Sequence, residues 1–230
     1  MRFKDVFSII GPSMVGPSSS HTAGAVRLGR TARHVLGGLP EHAEILLYGS
    51  FATTYRGHGT DLAIIAGLLN YDTDDMRIRD AFEKAKDAGM EVQLRTAQKA
   101  GMHPNTATFI LRRGEQKAIV TGCSIGGGNI EIVGVDDFDV KFTAIYPTLL
   151  IFHADRRGIL AELTDIFKHA DANIGFMEVD RKSRSGDALT VIESDEVLRT
   201  EFIDQIAEIP DVYKVRVINL TSKGDIYEVL

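Results

Sequence analysis

Cysteine is almost absent from this sequence, since Cys123 is the one cysteine among 230 residues. A single thiol excludes an internal disulfide, and it excludes a cysteine-based metal cluster built by this chain alone. No cationic neighbour in sequence lowers the pKa of Cys123, so we interpret it as a small buried hydrophobe rather than a nucleophile. The scarcity of cysteine is typical of a reducing compartment, and we expect the chain in the cytoplasm.

Long apolar runs are missing as well. No run in the sequence reaches the ~18 residues that a membrane helix needs, so we expect no membrane partner. The N-terminal stretch MRFKDVFSIIGPSMVG has its apolar run interrupted at Asp5 and Ser8. It also lacks a clean cleavage site, and we therefore interpret it as mature protein rather than a signal peptide.

The sequence also has no excess of basic residues. The formal net charge is −6; residues 1–145 hold 16 basic and 16 acidic residues, and residues 146–230 hold 10 and 16. Neither half is basic, which excludes the electrostatic footprint of a nucleic-acid partner. The step in charge, together with the chain length, predicts two domains that meet near residue 145.

The first of these segments shows the pattern of an α+β domain. Apolar residues recur at helical spacing from Ala25 to Leu36, and Gly37-Gly38 ends that helix. Two more helices are predicted, one after a cap at Thr60 or Asp61 and one over residues 74–89. Strands are predicted over 43–50, 90–96, 105–113, 116–122, 129–135 and 139–142. Their short alternating pattern favours an antiparallel sheet.

The pattern restarts after Thr143. Strands are predicted over residues 148–155, 174–182, 188–194 and 212–220, and amphipathic helices over 159–172 and 196–209. The order β-α-β-β-α-β is that of the ferredoxin-like unit.

This second segment, residues 146–222, resembles the ACT domain. A strand runs into Asp155-Arg156-Arg157-Gly158-Ile159-Leu160, and Asn173-Ile174 lies between the first helix and the second strand. The resemblance implies an ACT domain that pairs with a second copy into a homodimer. It also implies a small-molecule site at Asp155, Gly158, Ile159, Leu160 and Asn173. Because Arg157 stands where many relatives have proline, dimerisation alone and ligand sensing both remain open.

Four polar clusters punctuate the first domain, each at the end of a predicted strand or the start of a helix. Loops in such places carry functional sites. In chain order the clusters are Ser18-Ser19-Ser20-His21-Thr22, then Tyr48-Gly49-Ser50 with Gly57-His58-Gly59-Thr60-Asp61, then His103-Pro104-Asn105-Thr106, and finally residues 122–129, GCSIGGGN.

The first cluster has more donors than a helix cap requires. One serine satisfies a cap, whereas free backbone amides with surplus hydroxyls and an imidazole favour an anion such as a carboxylate. A plain cap stays open as the alternative. A Ser20–His21 nucleophile pair is disfavoured because adjacent residues rarely form the required hydrogen bond. A metal site at His21, His58 and His103 is disfavoured because their spacing is unlike that of zinc sites.

Two further features have competing interpretations. The run Ser124-Ile125-Gly126-Gly127-Gly128 lacks the lysine of a P-loop and indicates a tight turn, or a backbone close to a ligand. Arg27, Arg30 and His34 form a stripe on the first helix. We interpret the stripe as a solvated or subunit-facing surface, with guidance of an anionic substrate as the alternative.

The ordered set of motifs resembles one known family. G-P-S-S-S-H-T, G-H-G-T-D, H-P-N and S-I-G-G-G occur in that order ahead of the ACT-like segment. Together they resemble the beta chains of the two-chain, iron–sulfur L-serine dehydratases of bacteria, over essentially the whole chain. The first domain also resembles the allosteric substrate-binding domain of some phosphoglycerate dehydrogenases.

The resemblance implies a subunit of an L-serine ammonia-lyase, which converts L-serine to pyruvate and ammonia. It implies a [4Fe-4S] cluster held by cysteines of a partner alpha chain, and no metal site in this chain. His21 and Ser20 are the candidate catalytic residues. The candidate substrate-binding residues are Ser18, Ser19, Ser20, Thr22, His103, Asn105 and Ser124. The alternative function is a non-catalytic, amino-acid-binding regulatory protein with an ACT dimerisation module.

Overall fold

The computed structural model describes residues 12–220. The interpretation of the N-terminus at Asp5 and Ser8 therefore lies outside the described residues. A π-helical turn, Ser19–Ala23, leads into helix α1, Gly24–Leu36. The N-terminal part continues with β1 His42–Leu47, α2 Gly49–His58, α3 Thr60–Leu68, a 3₁₀ turn Met76–Asp80, α4 Ala81–Asp87, β2 Glu91–Thr96, β3 Thr106–Arg113, β4 Gln116–Gly126 and β5 Asn129–Val135.

The C-terminal part is a β-α-β-β-α-β unit, as predicted. It consists of β6 Thr148–Ala154, α5 Ile159–His169, β7 Ile174–Arg181, β8 Asp187–Ser194, α6 Thr200–Ala207 and β9 Val212–Ile218. Its four strands pair antiparallel in the order β7-β8-β6-β9, which is the ferredoxin-like order. The chain therefore has the α+β fold class that its sequence predicts. No helix formed by residues 12–220 has the length and apolarity to span a membrane.

The N-terminal sheet is mixed rather than antiparallel. Its order is β2-β1-β3-β4-β5, and β1 pairs in parallel with β2, with His42 opposite Glu91. The remaining pairs are antiparallel, so the predicted direction is wrong for this one pair. The physical reason lies in the connection, because three helices between β1 and β2 provide the long crossover that parallel pairing requires.

Helix α2 is missing from the sequence-based prediction, which has a glycine turn and a loop at this place. The segment is a weak helix former by composition, since it contains two glycines and the β-branched pair Thr53-Thr54. Packing compensates: Phe51 is fully buried in the core. Tertiary contact here overrides local propensity. The predicted strand 139–142 is likewise reduced to a single bridge between Phe142 and Ile132.

The two parts share one hydrophobic core. On one face of the ferredoxin-like sheet, Leu149 and Ile151 pack against α5 and α6. On the other face, Leu150 and Phe152 belong to the same buried cluster as the N-terminal core. Strand alternation produces this division, because successive side chains point to opposite faces. The N-terminal part thus covers the sheet face that the two helices leave open.

Two of the three residues of the polar stripe on α1, Arg30 and His34, are buried, and Arg27 is half-buried and donates to the carbonyl oxygen of Gly128 at 3.0 Å. This corrects the interpretation of the stripe as a solvated or subunit-facing surface. Arg30 is 5% exposed and His34 is 4% exposed. Arg30 forms an ion pair with Asp72 at 2.6 Å, and Nδ1 of His34 lies 3.2 Å from the carbonyl oxygen of Val217 in β9. The stripe joins α1 to neighbouring segments within the same chain. Helical spacing identified the stripe, but only packing determined what covers it.

Close approach of two backbones fixes the position of α1 against α3. A Cβ built on Gly67 would collide with the carbonyl oxygen of Val26, and one built on Gly29 with that of Ile64. Both glycines therefore allow the helices to cross almost in backbone contact. Since α1 begins next to His21 and α3 begins at Thr60, this crossing also sets the distance between two of the polar clusters.

Protonation of His34 is expected to destabilise the fold in acid. Burial, reinforced by the charge of Arg30, lowers the pKa of His34 to about 4, although the hydrogen bond to Val217 opposes the shift. The unfolded chain takes up the proton near the ordinary value of 6.5, so the stabilisation is complete above that pH and is lost towards pH 4. The expected loss in the free energy of unfolding is about 3 kcal/mol.

Urea unfolding of the wild type and of His34→Asn at pH 7, 5.5 and 4 measures this loss. Asparagine keeps an amide donor for Val217 and does not titrate. The difference in the free energy of unfolding between the wild type and His34→Asn should therefore narrow or reverse as the pH falls. Identical pH dependence of the two proteins would contradict the assignment.

Candidate functional site

Residues from all four polar clusters lie around the start of α1. Ser18 is the N-cap of the π-helical turn, and its hydroxyl oxygen accepts from the backbone N–H of His21 at 3.3 Å. This confirms the capping prediction for one serine of the three. Ser19 and Ser20 are half-buried, and their side-chain hydroxyls form no hydrogen bond with another residue in the part of the chain that the structure describes. Their hydroxyls therefore exceed what the cap uses.

His21 lies at the centre of the site. Its residue surface is 8% exposed, and its ring contacts Phe51 and His58 edge-on, with centroid distances of 5.2 Å and 4.7 Å. Nδ1 lies 3.4 Å from the hydroxyl of Ser18. Nε2 lies 3.3 Å from the hydroxyl of Ser50 and 3.2 Å from that of Thr54. The first two clusters are thus joined through a single imidazole.

The surroundings of His21 favour its neutral form. Burial lowers the pKa of His21, and the nearby charge of His58 lowers it further. A neutral imidazole near pH 7 has one nitrogen free to accept a proton. His21 is therefore suited to act as a base.

The third and fourth clusters approach the same helix start through Ser124. Ser124 is fully buried in β4, and a Cβ on Gly24 would collide with its hydroxyl. Its backbone N–H donates to the carbonyl oxygen of Asn105 at 3.0 Å. The hydroxyl of Thr22, two residues before Gly24, is also buried. The structure therefore brings Ser18, His21, Thr22, Asn105 and Ser124 to one end of α1.

Three side-chain oxygens in this region have no partner. Oγ1 of Thr22, Oδ1 of Asn105 and Oγ of Ser124 are buried and lack a hydrogen bond within residues 12–220. An unsatisfied buried polar atom costs about 1–3 kcal/mol, so a cluster of them is unusual unless another molecule completes it. The arrangement can hold a polar ligand at the helix start.

His103 is farther from the centre of the site. Its side chain is exposed, and Nδ1 accepts from the backbone N–H of Asn105 at 3.2 Å. Its backbone carbonyl accepts from the hydroxyl of Thr106 at 2.6 Å. His103 thus shapes the loop that presents Asn105, rather than contacting His21. His103 therefore lies apart from His21 and His58, the two other histidines of the disfavoured metal site. Among residues 12–220 no three His, Cys, Asp or Glu side chains gather as a metal site.

Comparison with known proteins identifies the family. A family model described as serine dehydratase beta chain matches residues 3–100. Over 215 residues the chain is 42% identical to the probable L-serine dehydratase, beta chain, of Bacillus subtilis (strain 168), covering 94% of this chain and 98% of that protein. The chain belongs to the serine dehydratase beta-chain family.

A second relative supports this membership. The L-serine dehydratase, beta chain, of Peptoniphilus asaccharolyticus is 34% identical over 195 residues, covering 84% of this chain and 87% of that protein. Among solved structures, the ACT domain from GTP pyrophosphokinase of Chlorobium tepidum matches at 18% identity. It covers 31% of this chain and 96% of that chain, with a TM-score of 0.27. The ferredoxin-like assignment therefore rests on the strand order described above.

An iron–sulfur cluster does not fit the residues of this beta-chain family member. A [4Fe-4S] cluster is held by four thiolates, and the sequence supplies only Cys123. That thiol is buried; burial raises its pKa, and the charge of Glu131 raises it further. Cys123 is therefore the small buried side chain that the sequence predicts.

The predicted ligand residues of the ferredoxin-like unit do not come together within one copy. Asp155 accepts from Arg181 at 3.1 Å and from the backbone N–H of Ser185 at 3.2 Å. Asn173 donates to Asp195 at 2.6 Å, at the other end of β8. The length of β8 separates the two places by about 24 Å.

The other three predicted residues lie near Asp155. Gly158 caps α5 in the left-handed region with φ of 88°, as the predicted sharp turn requires, and is followed by buried Ile159 and by Leu160, which is 37% exposed. A cavity of 620 Å³ lies at the Asn173 end, between the C-terminal end of α5 and the N-terminal end of α6. The cavity is lined by residues of the ferredoxin-like unit and by none of the residues grouped around the start of α1.

Thr54 is the functional-site residue that sequence reasoning missed. Ser50, Thr54 and His58 are spaced by four residues and lie on one face of α2. That spacing is visible in the sequence, but it has meaning only for a helix. Because α2 was not predicted, Ser50 and His58 were assigned to separate loop motifs and Thr54 to none.

Proposed function

We propose that this chain is the beta subunit of an L-serine dehydratase that converts L-serine to pyruvate and ammonia together with an alpha chain. The relatives named L-serine dehydratase, beta chain support the reaction and the existence of a second chain. Within this assembly the chain supplies the loops around His21, and it acts in the cytoplasm.

One observation carries the proposal. A buried imidazole with a lowered pKa stands at a helix start beside three buried oxygens that have no partner in residues 12–220. Such a site is polar, sheltered from water and incomplete. A carboxylate and an amino group from the substrate, and polar groups from a second chain, are the kinds of partner that would complete it.

Elimination of water from serine removes the α-proton and the β-hydroxyl, and the resulting enamine hydrolyses to pyruvate and ammonia. His21 is the proposed base for the α-proton, since its neutral ring accepts a proton inside a buried site. The cap residue Ser18 and the surplus hydroxyls of Ser19, Ser20 and Thr22 are proposed to bind the substrate carboxylate at the helix start. Asn105 and Ser124 would bind the substrate from the opposite side, and His103 would hold the loop that carries Asn105.

Departure of the β-hydroxyl requires an electrophile. The [4Fe-4S] cluster of the alpha chain is proposed to supply Lewis acidity to that hydroxyl. The single buried cysteine of this chain supports the placement of the cluster on the partner. Homodimerisation through the ferredoxin-like ACT unit is part of the same proposal, and pairing of two copies would be the setting for a ligand at Asp155 or Asn173.

Reconstitution tests the function directly. The chain is purified alone and after anoxic co-expression with a cysteine-rich alpha chain of an L-serine dehydratase, and pyruvate is measured with L-serine and with L-threonine. Alone, the chain should be colourless and inactive. The complex should be brown, oxygen-sensitive and active on L-serine, with two beta chains per particle by light scattering. A colourless complex that forms no pyruvate would refute the proposal.

A further inference from the structure

The imidazole of His21 has hydroxyl groups on both of its nitrogens. Ser18 faces Nδ1 at 3.4 Å, and Thr54 and Ser50 face Nε2 at 3.2 Å and 3.3 Å. A hydroxyl carries one hydrogen and can donate only once. A hydroxyl that already donates its hydrogen elsewhere can only accept from His21. Such hydroxyls therefore decide which nitrogen of His21 carries the proton.

Thr54 has already used its hydrogen. Its hydroxyl donates to the backbone carbonyl of Ser50 at 2.8 Å, one turn earlier in α2. Towards Nε2 of His21 the same oxygen can therefore only accept. A contact of this kind is favourable when Nε2 carries a hydrogen and unfavourable when it carries a lone pair.

Ser18 offers the complementary arrangement on the other nitrogen. Its oxygen accepts from the backbone N–H of His21 at 3.3 Å, so its own hydrogen is free to point at Nδ1. The hydroxyl of Ser50 has no other hydrogen bond among residues 12–220, so it can either donate to Nε2 or accept from it and favours neither tautomer. Thr54 can only accept, and it therefore favours the tautomer with the hydrogen on Nε2 and the lone pair on Nδ1.

We propose that Thr54 is a positioning residue that holds His21 with its proton on Nε2, leaving Nδ1 as the basic nitrogen. The catalytic consequence rests on the proposed function, whereas the tautomer is a property of this chain. When Nδ1 takes up a proton, Nε2–H keeps its acceptor in Thr54 and the new N–H finds the oxygen of Ser18. The ring therefore accepts a proton without rotating.

Nitrogen NMR of the full chain tests the tautomer without any substrate. Histidine labelled with ¹⁵N is incorporated at the seven histidines, and long-range proton–nitrogen correlations distinguish protonated from unprotonated ring nitrogens. The signals of His21 are assigned by their loss in His21→Asn. We expect a protonated Nε2 and an unprotonated Nδ1 in the wild type. A proton on Nδ1 would overturn the proposal.

Substitution of Thr54 tests its role in the complex with the alpha chain. Thr54→Val keeps the shape and removes the acceptor, so we expect kcat to fall about tenfold with KM unchanged, and the His21 proton to move to Nδ1 in part of the molecules. Thr54→Ser should restore the wild-type kcat and keep the His21 proton on Nε2. Thr53→Val is the matched control, since the exposed hydroxyl of Thr53 also donates to Ser50 but does not contact His21.

The outcomes separate this proposal from the proposed function. Loss of turnover in His21→Ala with an unchanged tautomer in Thr54→Val would sink the positioning role and leave the function intact. A wild-type complex that forms no pyruvate would sink the proposed function, and retained turnover in His21→Ala would remove His21 from the mechanism. In either case the NMR result would still decide the tautomer. If Thr54→Val fails to fold, the wild-type spectrum and Thr54→Ser remain decisive.

Discussion

Replacing His21 with alanine is expected to lower serine turnover by the reconstituted complex by about 100-fold to 10,000-fold, the range that general base catalysis contributes. The imidazole is the one titratable group joined to both Ser18 and Thr54 among the described residues, and its lowered pKa keeps it available as a base. The measurement is the steady-state rate of pyruvate formation with L-serine.

A control histidine distinguishes this effect from the loss of any imidazole. His42 has a side chain that is 58% exposed and contacts Glu91 on the open face of the N-terminal sheet. His42→Ala should leave turnover within about twofold, because an exposed ion pair contributes little to stability. Turnover of His21→Ala that stays within a few-fold of the wild type would remove His21 from the mechanism.

Replacing Gly67 with alanine is expected to destabilise the fold by about 3 kcal/mol, at the upper end of the usual cost of overpacking. The added methyl would meet the backbone carbonyl of Val26, and backbone cannot rotate away as a side chain can. Helices α1 and α3 would have to separate. For a chain of this size, the expected fall in Tm is about 6–12 °C.

Gly57 provides the matched control within the neighbouring helix. A Cβ at Gly57 would meet no atom within 4 Å, and the residue lies in the last turn of α2. Gly57→Ala should therefore be neutral or stabilising by about 0.5 kcal/mol, because alanine loses less backbone entropy on folding. Both variants are compared by calorimetry and urea unfolding. Equal stability of the two would show that the crossing of α1 and α3 is not as close as described.

The local sequence pattern was sufficient to predict those helices and strands whose formation depends mainly on their own residues. The β-α-β-β-α-β order was predicted because each of its helices carries an apolar stripe and each strand is apolar or alternating. A cap by one serine of Ser18-Ser19-Ser20 was likewise expected, since a hydroxyl at a helix start satisfies its amides locally, and the structure shows that Ser18 is the one. The whole of α2 was not predicted, because Phe51 stabilises it through contacts with distant residues.

The candidate site likewise contains residues that the sequence identified and a residue that only the structure revealed. Sequence identified His21, Asn105 and Ser124 as polar residues in loops, and the structure places all three around the start of α1. It did not identify Thr54, whose contact with His21 depends on a helix that only packing stabilises. The sequence also did not show that Asp155 and Asn173 lie apart, because the register of β7 and β8 decides which end of the sheet each residue occupies.

The sequence by itself determined the polar loops, the single cysteine and the order of the C-terminal elements, because these follow from residue type and short-range spacing. Only the tertiary structure decided that Arg30 and His34 are buried and that β1 and β2 run parallel. It also decided that the hydroxyl of Thr54 faces the imidazole of His21. These features join residues tens to hundreds of positions apart, and such contacts are set by how helices and sheets pack rather than by any local pattern.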